Sequence, residues 1–184
     1  MSHLDEMQLM HCHDILDVDE CAEWIERAED EGLDTAPVYT PEGERIATHL
    51  RHCMEVTLYD EEAADALFER FRERSPDHLL IKQMSGLHER LRVCRYDEGH
   101  LFVPHTDAPI DAHDGARTSQ WTLVLYLNDD FEGGQTTFPD QWSETFVVEP
   151  VCGDAIIFDH DVLHAGAQVI AGSKYILRGD FLAR

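Results

Sequence analysis

The sequence predicts an α+β fold in which helices from the first half pack outside a β-sandwich or barrel formed by the second half. Amphipathic helical spacing occurs before about residue 90, whereas short alternating runs bounded by Gly, Pro, Asn and Asp take over from about Leu91. The chain has 184 residues, 43% of them hydrophobic, which suits one domain with its own core. We therefore expect a single domain over residues 1–184, in which residues 1–90 supply supporting helices and first strands and residues 91–184 supply the β core.

Two amphipathic helices are predicted in the first half. The segment Asp17–Glu20 has the pattern of a capping box, and apolar residues follow it at helical spacing as far as Gly32. A second helix follows Asp60 and ends at Ser75, because a proline comes next. Between the two helices, apolar residues alternate over residues 54–58, which is typical of an antiparallel strand.

The second half is predicted to consist of short strands joined by turns. Alternating or continuous apolar runs mark seven of them: Leu91–Tyr96, Phe102–His105, Trp121–Leu127, Glu144–Val148, Ala155–Phe158, Ala167–Ile170 and Tyr175–Phe181. The longest irregular stretch, residues 108–119, is polar and follows the second strand directly. Many short strands at close spacing indicate a sandwich or barrel.

The charge balance disfavours several classes of partner. The chain has 38 acidic and 14 basic residues and a formal net charge of −24, which repels phosphate backbones and anionic membranes. No apolar stretch reaches the length of a membrane span, and the N-terminal residues do not have the pattern of a signal peptide. The five cysteines are scattered, without a C-x-x-C pair. We therefore expect a cytoplasmic protein that binds neither nucleic acid nor membranes.

A possible metal site begins at the end of the second predicted strand. In an extended segment residues i and i+2 share a face, so His105 and Asp107 present an imidazole and a carboxylate side by side. His164, shortly after an apolar run, is a third candidate ligand, and His160 competes with it. Two histidines and one carboxylate leave metal positions open, as in non-haem Fe(II) oxygenases, whereas a structural zinc site needs a fourth ligand.

Two cations share one face of the last predicted strand. Lys174 and Arg178 alternate there with Ile176, so both could point into the barrel. An inward cation requires an anion, although a surface-facing strand would explain the same pattern.

These segments resemble a known family, the Fe(II)- and 2-oxoglutarate-dependent oxygenases, and within it the prolyl 4-hydroxylase-like branch. The resemblance covers roughly residues 91–182, about half of the chain. The matching motifs are Arg95–Gly99, Val103–Asp107, Thr122–Asp129, Phe131–Pro139, Gly153–Phe158, Leu163–Gly166 and Gly172–Tyr175.

The resemblance implies a double-stranded β-helix core of the jelly-roll or cupin-like type, in which residues 91–184 are catalytic. It implies that His105, Asp107 and His164 are the iron ligands and the catalytic residues. The implied cofactors are Fe(II), 2-oxoglutarate as co-substrate and O2, with ascorbate as an optional reductant. The implied activity is hydroxylation of a C–H bond of an amino-acid, peptidyl (prolyl-like) or other small substrate, with release of succinate and CO2.

The resemblance also assigns the co-substrate pocket. Lys174 corresponds to the cation that pairs with the distal carboxylate of 2-oxoglutarate, assisted by hydroxyls at Thr122 and Tyr126. Tyr96 corresponds to a tyrosine that lines the pocket. Arg178 is an additional basic residue, which could share or replace the role of Lys174.

Two further positions bear on the resemblance. Phe102 stands where the family often has a tyrosine, which removes one hydroxyl from the expected pocket. Asp107 is retained, whereas the related halogenases have a small residue there, so halogenation is disfavoured.

Other functions remain open at this point. A non-catalytic cupin-like module that binds or senses a metal and an organic acid would have the same residues, whereas a zinc hydrolase would leave Lys174 without a purpose. We expect the substrate to be a small molecule or a peptide, and Arg92, Arg95 and Arg117 are candidates to hold a substrate carboxylate. Residues 38–52 and 108–119 are candidates for a lid. The oligomeric state is not predicted.

Overall fold

The computed structural model describes residues 9–40, 43–113, 115–139 and 145–184. These residues form three helices: α1 (Val18–Glu31), α2 (Glu61–Arg74) and α3 (Leu79–Gln83). They form sixteen strands: β1 (Leu9–Cys12), β2 (Asp34–Thr35), β3 (Val38–Thr40), β4 (Gly43–Arg45), β5 (Met54–Tyr59), β6 (Met84–Leu87), β7 (Arg90–Asp97), β8 (Phe102–His105), β9 (Ser119–Tyr126), β10 (Glu132–Gly133), β11 (Thr136–Phe138), β12 (Phe146–Val148), β13 (Ala155–Asp159), β14 (His164–Gly166), β15 (Val169–Ala171) and β16 (Ser173–Ala183).

The two long helices begin at the residues that the sequence indicates. Asp17 accepts a hydrogen bond from the backbone of Glu20, whose side chain returns one to the backbone of Asp17, so the predicted capping box is confirmed. Asp60 caps α2 by accepting a hydrogen bond from the backbone N–H of Ala63, and Ser75 ends the helix. No helix among the described residues is long and apolar enough to cross a membrane.

The strands form two principal antiparallel sheets. The larger sheet has the order β1-β13-β9-β16-β7-β5-β2, with β6 paired to β16. The smaller sheet has the order β12-β11-β14-β8, and β10 with β15 and β3 with β4 form separate pairs. This mixture of helices with two antiparallel sheets confirms the predicted fold class.

Side-chain alternation divides the interior into two cores. On one face of the larger sheet, Leu91, Leu123 and Leu177 pack with the buried faces of α1 and α2. On the opposite face, Val124 and Ile176 pack with residues of the smaller sheet, such as Phe138 and Val148. A one-residue register slip would exchange the two sets, so this alternation fixes which side chains face the smaller sheet.

The first 90 residues contribute more strands than the sequence predicts. β1 pairs with β13 along the edge of the larger sheet, and its His11 lies beside Asp154. His13 follows the strand and donates from Nδ1 to Asp154 over 2.7 Å. Periodicity could not identify β1, because four residues are too few to establish an alternation. The predicted strand Glu144–Val148 begins outside the described residues and is observed from Phe146.

A substitution at Gly153 tests whether close backbone packing stabilises this edge of the larger sheet. Its φ is +85°, and a Cβ there would meet the backbone carbonyl of Leu16, to which β1 leads. We expect Gly153→Ala to lower the free energy of unfolding by about 3 kcal/mol, from backbone strain plus steric overlap. Gly32→Ala is the matched control, because its φ is +87° but its Cβ would meet nothing within 4 Å. Denaturant unfolding measures both variants, and equal losses would contradict the steric part of this account.

Candidate active site

A cavity of about 660 Å³ lies between the two principal sheets. Strands β7, β9 and β16 of the larger sheet supply one wall, and β8, β11 and β14 of the smaller sheet supply the other. Both segments that the sequence indicated as a lid contribute lining residues, Val38 and Leu50 from one and Pro109 and Ile110 from the other. The cavity is therefore bounded by sheet on two sides and by these loops at its rim.

The two predicted histidine ligands are cross-strand neighbours in the smaller sheet. His105 of β8 and His164 of β14 pair directly, and their ring centroids lie 4.2 Å apart. Each ring donates from Nδ1 to the carbonyl two residues earlier, on Val103 and Val162, over 2.9 Å. These bonds leave both Nε2 atoms as acceptors, the form in which imidazole binds a metal. Burial, and then His164, lower the pKa of His105 to about 4, which keeps the ring neutral at pH 7.

Asp107 completes the set and is held from several directions. Its Oδ2 accepts from the Thr122 hydroxyl over 2.5 Å, and its Oδ1 accepts from Arg178 Nη2 over 2.7 Å. Its backbone N–H donates to the carbonyl of His160 over 3.0 Å. Although burial opposes it, Arg178 and then His164 hold the pKa of the Asp107 carboxyl well below its usual range. The carboxylate is thus charged and fixed in orientation.

His160 does not belong to this cluster. Its ring is buried and bonds to the hydroxyls of Ser119 and Thr122, each over 2.9 Å, rather than facing His105. Ligand atoms of His105, Asp107 and His164 all lie within 4.8 Å of one another. Two neutral imidazoles and one ionised carboxylate at this separation fit a divalent iron ion and leave its other positions open.

Lys174 lies deeper in the same cavity. It is 4% exposed, its Nζ donates to the carbonyl of Gly134 over 2.6 Å, and it lies 5.6 Å and 5.5 Å from the ring centres of Tyr96 and Tyr126. Within the described residues no carboxylate pairs with it. Burial lowers the pKa of the Lys174 ammonium to about 8. A buried cation without a counter-ion fits the distal carboxylate of 2-oxoglutarate.

The hydroxyl groups are arranged differently from the expectation. Thr122 bonds to Asp107 and His160, so its hydroxyl lies at the metal end of the cavity and not beside Lys174. Tyr126 does not line the cavity, and its hydroxyl donates to Thr136, which does. Thr136 was missed because it follows a turn, in a strand of only three residues. Thr136 therefore places a hydroxyl between Tyr126 and the cavity, at the Lys174 end.

Arg178 has partners of its own. Its guanidinium donates to Asp107 over 2.7 Å and to Asp180 over 2.6 Å, so this cation forms ion pairs with two carboxylates. The sequence left Lys174 and Arg178 as alternatives for one role. In the structure Arg178 holds Asp107, whereas Lys174 remains available to a ligand.

The three arginines proposed for a substrate carboxylate lie in different places. Arg92 is buried and lines the cavity. Arg95, on the opposite face of β7, pairs with Glu29 over 2.8 Å outside the cavity. Arg117 is exposed in the loop before β9. Because side chains alternate along β7, Arg92 and Arg95 lie on opposite faces of the sheet. Of the three arginines, only Arg92 lines the cavity.

The chain belongs to the 2OG-Fe(II) oxygenase superfamily. The model of that family matches residues 91–181, which contain the whole triad and Lys174. Together with the triad, this membership implies Fe(II) and 2-oxoglutarate as the cofactors.

The chain is also similar to proteins that are named prolyl hydroxylases. A probable prolyl 4-hydroxylase 3 from Arabidopsis thaliana is 27% identical over 190 residues, which cover 89% of this chain and 65% of the relative. The chain thus spans just under two thirds of the length of that relative. A prolyl-4-hydroxylase from Pseudomonas putida matches with a TM-score of 0.71 at 19% identity, over 97% of this chain and 94% of the other. A viral collagen prolyl hydroxylase from Paramecium bursaria Chlorella virus-1, in complex with 2-oxoglutarate, matches with a TM-score of 0.66 at 21% identity, over 96% and 97%.

Proposed function

We propose that this protein is an Fe(II)- and 2-oxoglutarate-dependent dioxygenase that hydroxylates a C–H bond of an amino-acid, peptidyl (prolyl-like) or other small substrate. One observation carries the proposal: a cavity contains both a His-Asp-His ligand set with open metal positions and a buried lysine with no carboxylate partner among the described residues. The first feature suits the metal and the second suits the far carboxylate of the co-substrate.

The overall reaction converts the substrate C–H, O2 and 2-oxoglutarate into the substrate C–OH, succinate and CO2. One oxygen atom enters the substrate and the other enters succinate. When bound, iron and 2-oxoglutarate supply the activation of O2 that this oxidation needs. His105, Asp107 and His164 would hold the metal, and Lys174 would hold the co-substrate.

The chain contributes orientation and exclusion of water. The side chains of Thr122 and Arg178 and the backbone carbonyl of His160 keep Asp107 in one position, so a metal ion that it binds would be held in a fixed geometry. Val124 and Ile176 provide apolar lining between the metal end and Lys174. A dry, apolar wall protects a reactive centre from side reactions.

The substrate class and the location are part of the same proposal. The relatives named prolyl 4-hydroxylases support a peptidyl proline or a related amino acid as substrate. All five cysteines are free thiols, which supports a cytoplasmic location.

Oxygen labelling tests the proposal. The full chain is incubated with Fe(II), 2-oxoglutarate and ¹⁸O2, with free L-proline or a proline-containing peptide as probe, and succinate is analysed by mass spectrometry. We expect succinate that carries one ¹⁸O atom and whose formation requires both Fe(II) and 2-oxoglutarate. Absence of labelled succinate from a folded protein that binds iron would refute the proposed function.

The low pKa of Lys174 predicts a pH dependence of co-substrate binding. The ammonium is charged below its pKa of about 8 and neutral above it, and only the charged form attracts a carboxylate. The dissociation constant for 2-oxoglutarate should be constant below that pH and rise up to about tenfold per pH unit above it. Calorimetry on the Mn(II)-loaded protein at pH 7 and pH 9 measures the change. Lys174→Arg, which stays charged, should lose the rise, and a flat profile in the original protein would contradict the assignment.

A further inference from the structure

The cavity is strongly basic although the protein is strongly acidic. The chain has 38 acidic and only 14 basic residues. Among the described residues, one acidic side chain lines the cavity, that of Asp107, and five basic ones do: Arg51, Arg90, Arg92, Lys174 and Arg178. One cation suffices for the far carboxylate of 2-oxoglutarate, so the others need separate explanations.

Two of the arginines are explained by partners within the chain. Arg178 is bound to Asp107 and Asp180. Arg51 donates to Glu55 over 2.6 Å and to the carbonyl of Pro37 over 3.0 Å. Both are therefore parts of the cavity wall whose charges are already balanced.

Arg92 has no partner at hydrogen-bond distance among the described residues. It is 6% exposed, it donates no hydrogen bond within the described part of the chain, and its Nε is buried without an acceptor. Its nearest carboxylate oxygen, Oε2 of Glu55, is 4.0 Å away and already accepts from Arg51. Burial, and then the neighbouring Arg178, lower the pKa of the Arg92 guanidinium, as expected for a cation without a bound anion. A buried guanidinium that lines a cavity and has no hydrogen-bonded anion is suited to bind one.

The position of Arg92 separates it from the co-substrate anchor. On the paired strands β7 and β16, Arg92 lies opposite Arg178, whereas Lys174 lies opposite Tyr96, four residues along β16. Four residues of a strand span about 13 Å. Since Arg178 contacts Asp107, Arg92 lies at the metal end and Lys174 at the far end.

Arg90 extends this site along the same face of β7. Its side chain is 22% exposed, and its nearest carboxylate oxygen, on Asp180, is 3.8 Å away. Arg90 also lines the cavity, so it adds positive charge on the side of Arg92 away from Lys174.

We propose that Arg92, assisted by Arg90, binds a carboxylate of the substrate, which makes the substrate a small carboxylic acid of the free amino-acid class. This inference rests on the proposed function and narrows it. A guanidinium binds a carboxylate through two parallel hydrogen bonds, which fixes the position of the carbon atoms next to it. The carboxylate must enter the cavity with the carbon that is oxidised, because Arg92 is buried beside the metal end. A free amino acid meets this requirement, whereas an internal residue of a peptide has neutral amides in place of its carboxylate.

Matched acids and amides test the inference. The probes are the free L-amino acids, L-proline included, and the carboxamide of each, supplied with Fe(II) and 2-oxoglutarate while succinate release and oxidised product are measured. We expect at least one acid to stimulate succinate release and to gain one oxygen atom, and its carboxamide to do neither. Arg92→Gln should raise KM for that acid at least about 30-fold and leave KM for 2-oxoglutarate unchanged. Arg95→Gln, on the other face of the same strand, is the control and should change neither constant.

A stability measurement distinguishes a binding role from a structural one. Since Arg92 has no hydrogen-bonded partner among the described residues, Arg92→Met should leave the melting temperature of the free protein unchanged or raise it. A clear fall would identify Arg92 as a structural counter-ion of Glu55 and overturn the inference.

Other outcomes also overturn it. Equal stimulation of succinate release by acids and by their carboxamides would overturn the inference. A rise in KM for 2-oxoglutarate in Arg92→Gln would also overturn it. Failure of every acid, in a protein that still converts 2-oxoglutarate slowly to succinate without substrate, would overturn the inference and leave the proposed function intact. Absence of that slow conversion would refute both.

Discussion

His105→Ala is expected to abolish succinate formation and to weaken Fe(II) binding at least about 100-fold. The variant removes one of three ligands, and the two that remain lie on different segments of the chain, at Asp107 and His164. Loss of a partner that only orients a ligand already costs about 10- to 100-fold in metal affinity, so loss of a ligand itself should cost more. Metal titration under anaerobic conditions and a succinate assay measure the two effects.

The appropriate control is a histidine outside the site. His49 is exposed and does not line the cavity, so His49→Ala should keep iron binding and activity. Because His105 is itself partly buried, the melting temperature of the metal-free protein must be compared as well. Succinate formation by a folded His105→Ala protein at the original rate would contradict the assignment of the metal centre.

Lys174→Met is expected to weaken 2-oxoglutarate binding about 100-fold with little effect on iron binding. Removal of one partner from a buried charge pair costs about 2–5 kcal/mol, and the lost pair here is between Lys174 and the distal carboxylate. The metal-free protein should be at least as stable as before, because no carboxylate among the described residues pairs with this lysine. Calorimetry with the Mn(II)-loaded protein and thermal unfolding check the two parts.

Arg178→Met provides the contrasting result. It leaves Asp107 and the fully buried Asp180 without their close cation, so the melting temperature should fall. Iron binding should also weaken, because Asp107 loses one of the bonds that orient it. If Arg178→Met, rather than Lys174→Met, selectively weakened 2-oxoglutarate binding in a stable protein, the two assignments would have to be exchanged.

The sequence was informative where a regular pattern leads to a single geometry. The spacing of His105 and Asp107 at a strand end predicted a shared face, and the structure places both with His164 around one point. The capping box at Asp17 and the alternation in β7, β9 and β16 were predicted for the same reason, since periods of 3.6 and 2 residues identify helix and strand faces.

The sequence could not predict contacts that depend on tertiary pairing. Thr122 and Tyr126 share a face of β9, yet one hydroxyl bonds to Asp107 and the other to Thr136. Whether a residue is at an odd or even position of a strand predicts which face of the sheet its side chain lies on. It does not predict which side chain of another strand it contacts. Likewise, Lys174 and Arg178 share a face of β16, and only the positions of Asp107 and Asp180 separate their roles.

The central claim is that one cavity binds Fe(II) and 2-oxoglutarate together, and an anaerobic absorbance titration tests it most directly. Fe(II) and 2-oxoglutarate are added to the metal-free chain, singly and then together, before any oxygen is admitted. The account predicts a visible charge-transfer band that requires both additions, is absent from His105→Ala and needs far more 2-oxoglutarate in Lys174→Met. No band from a folded protein that binds the metal would contradict the account.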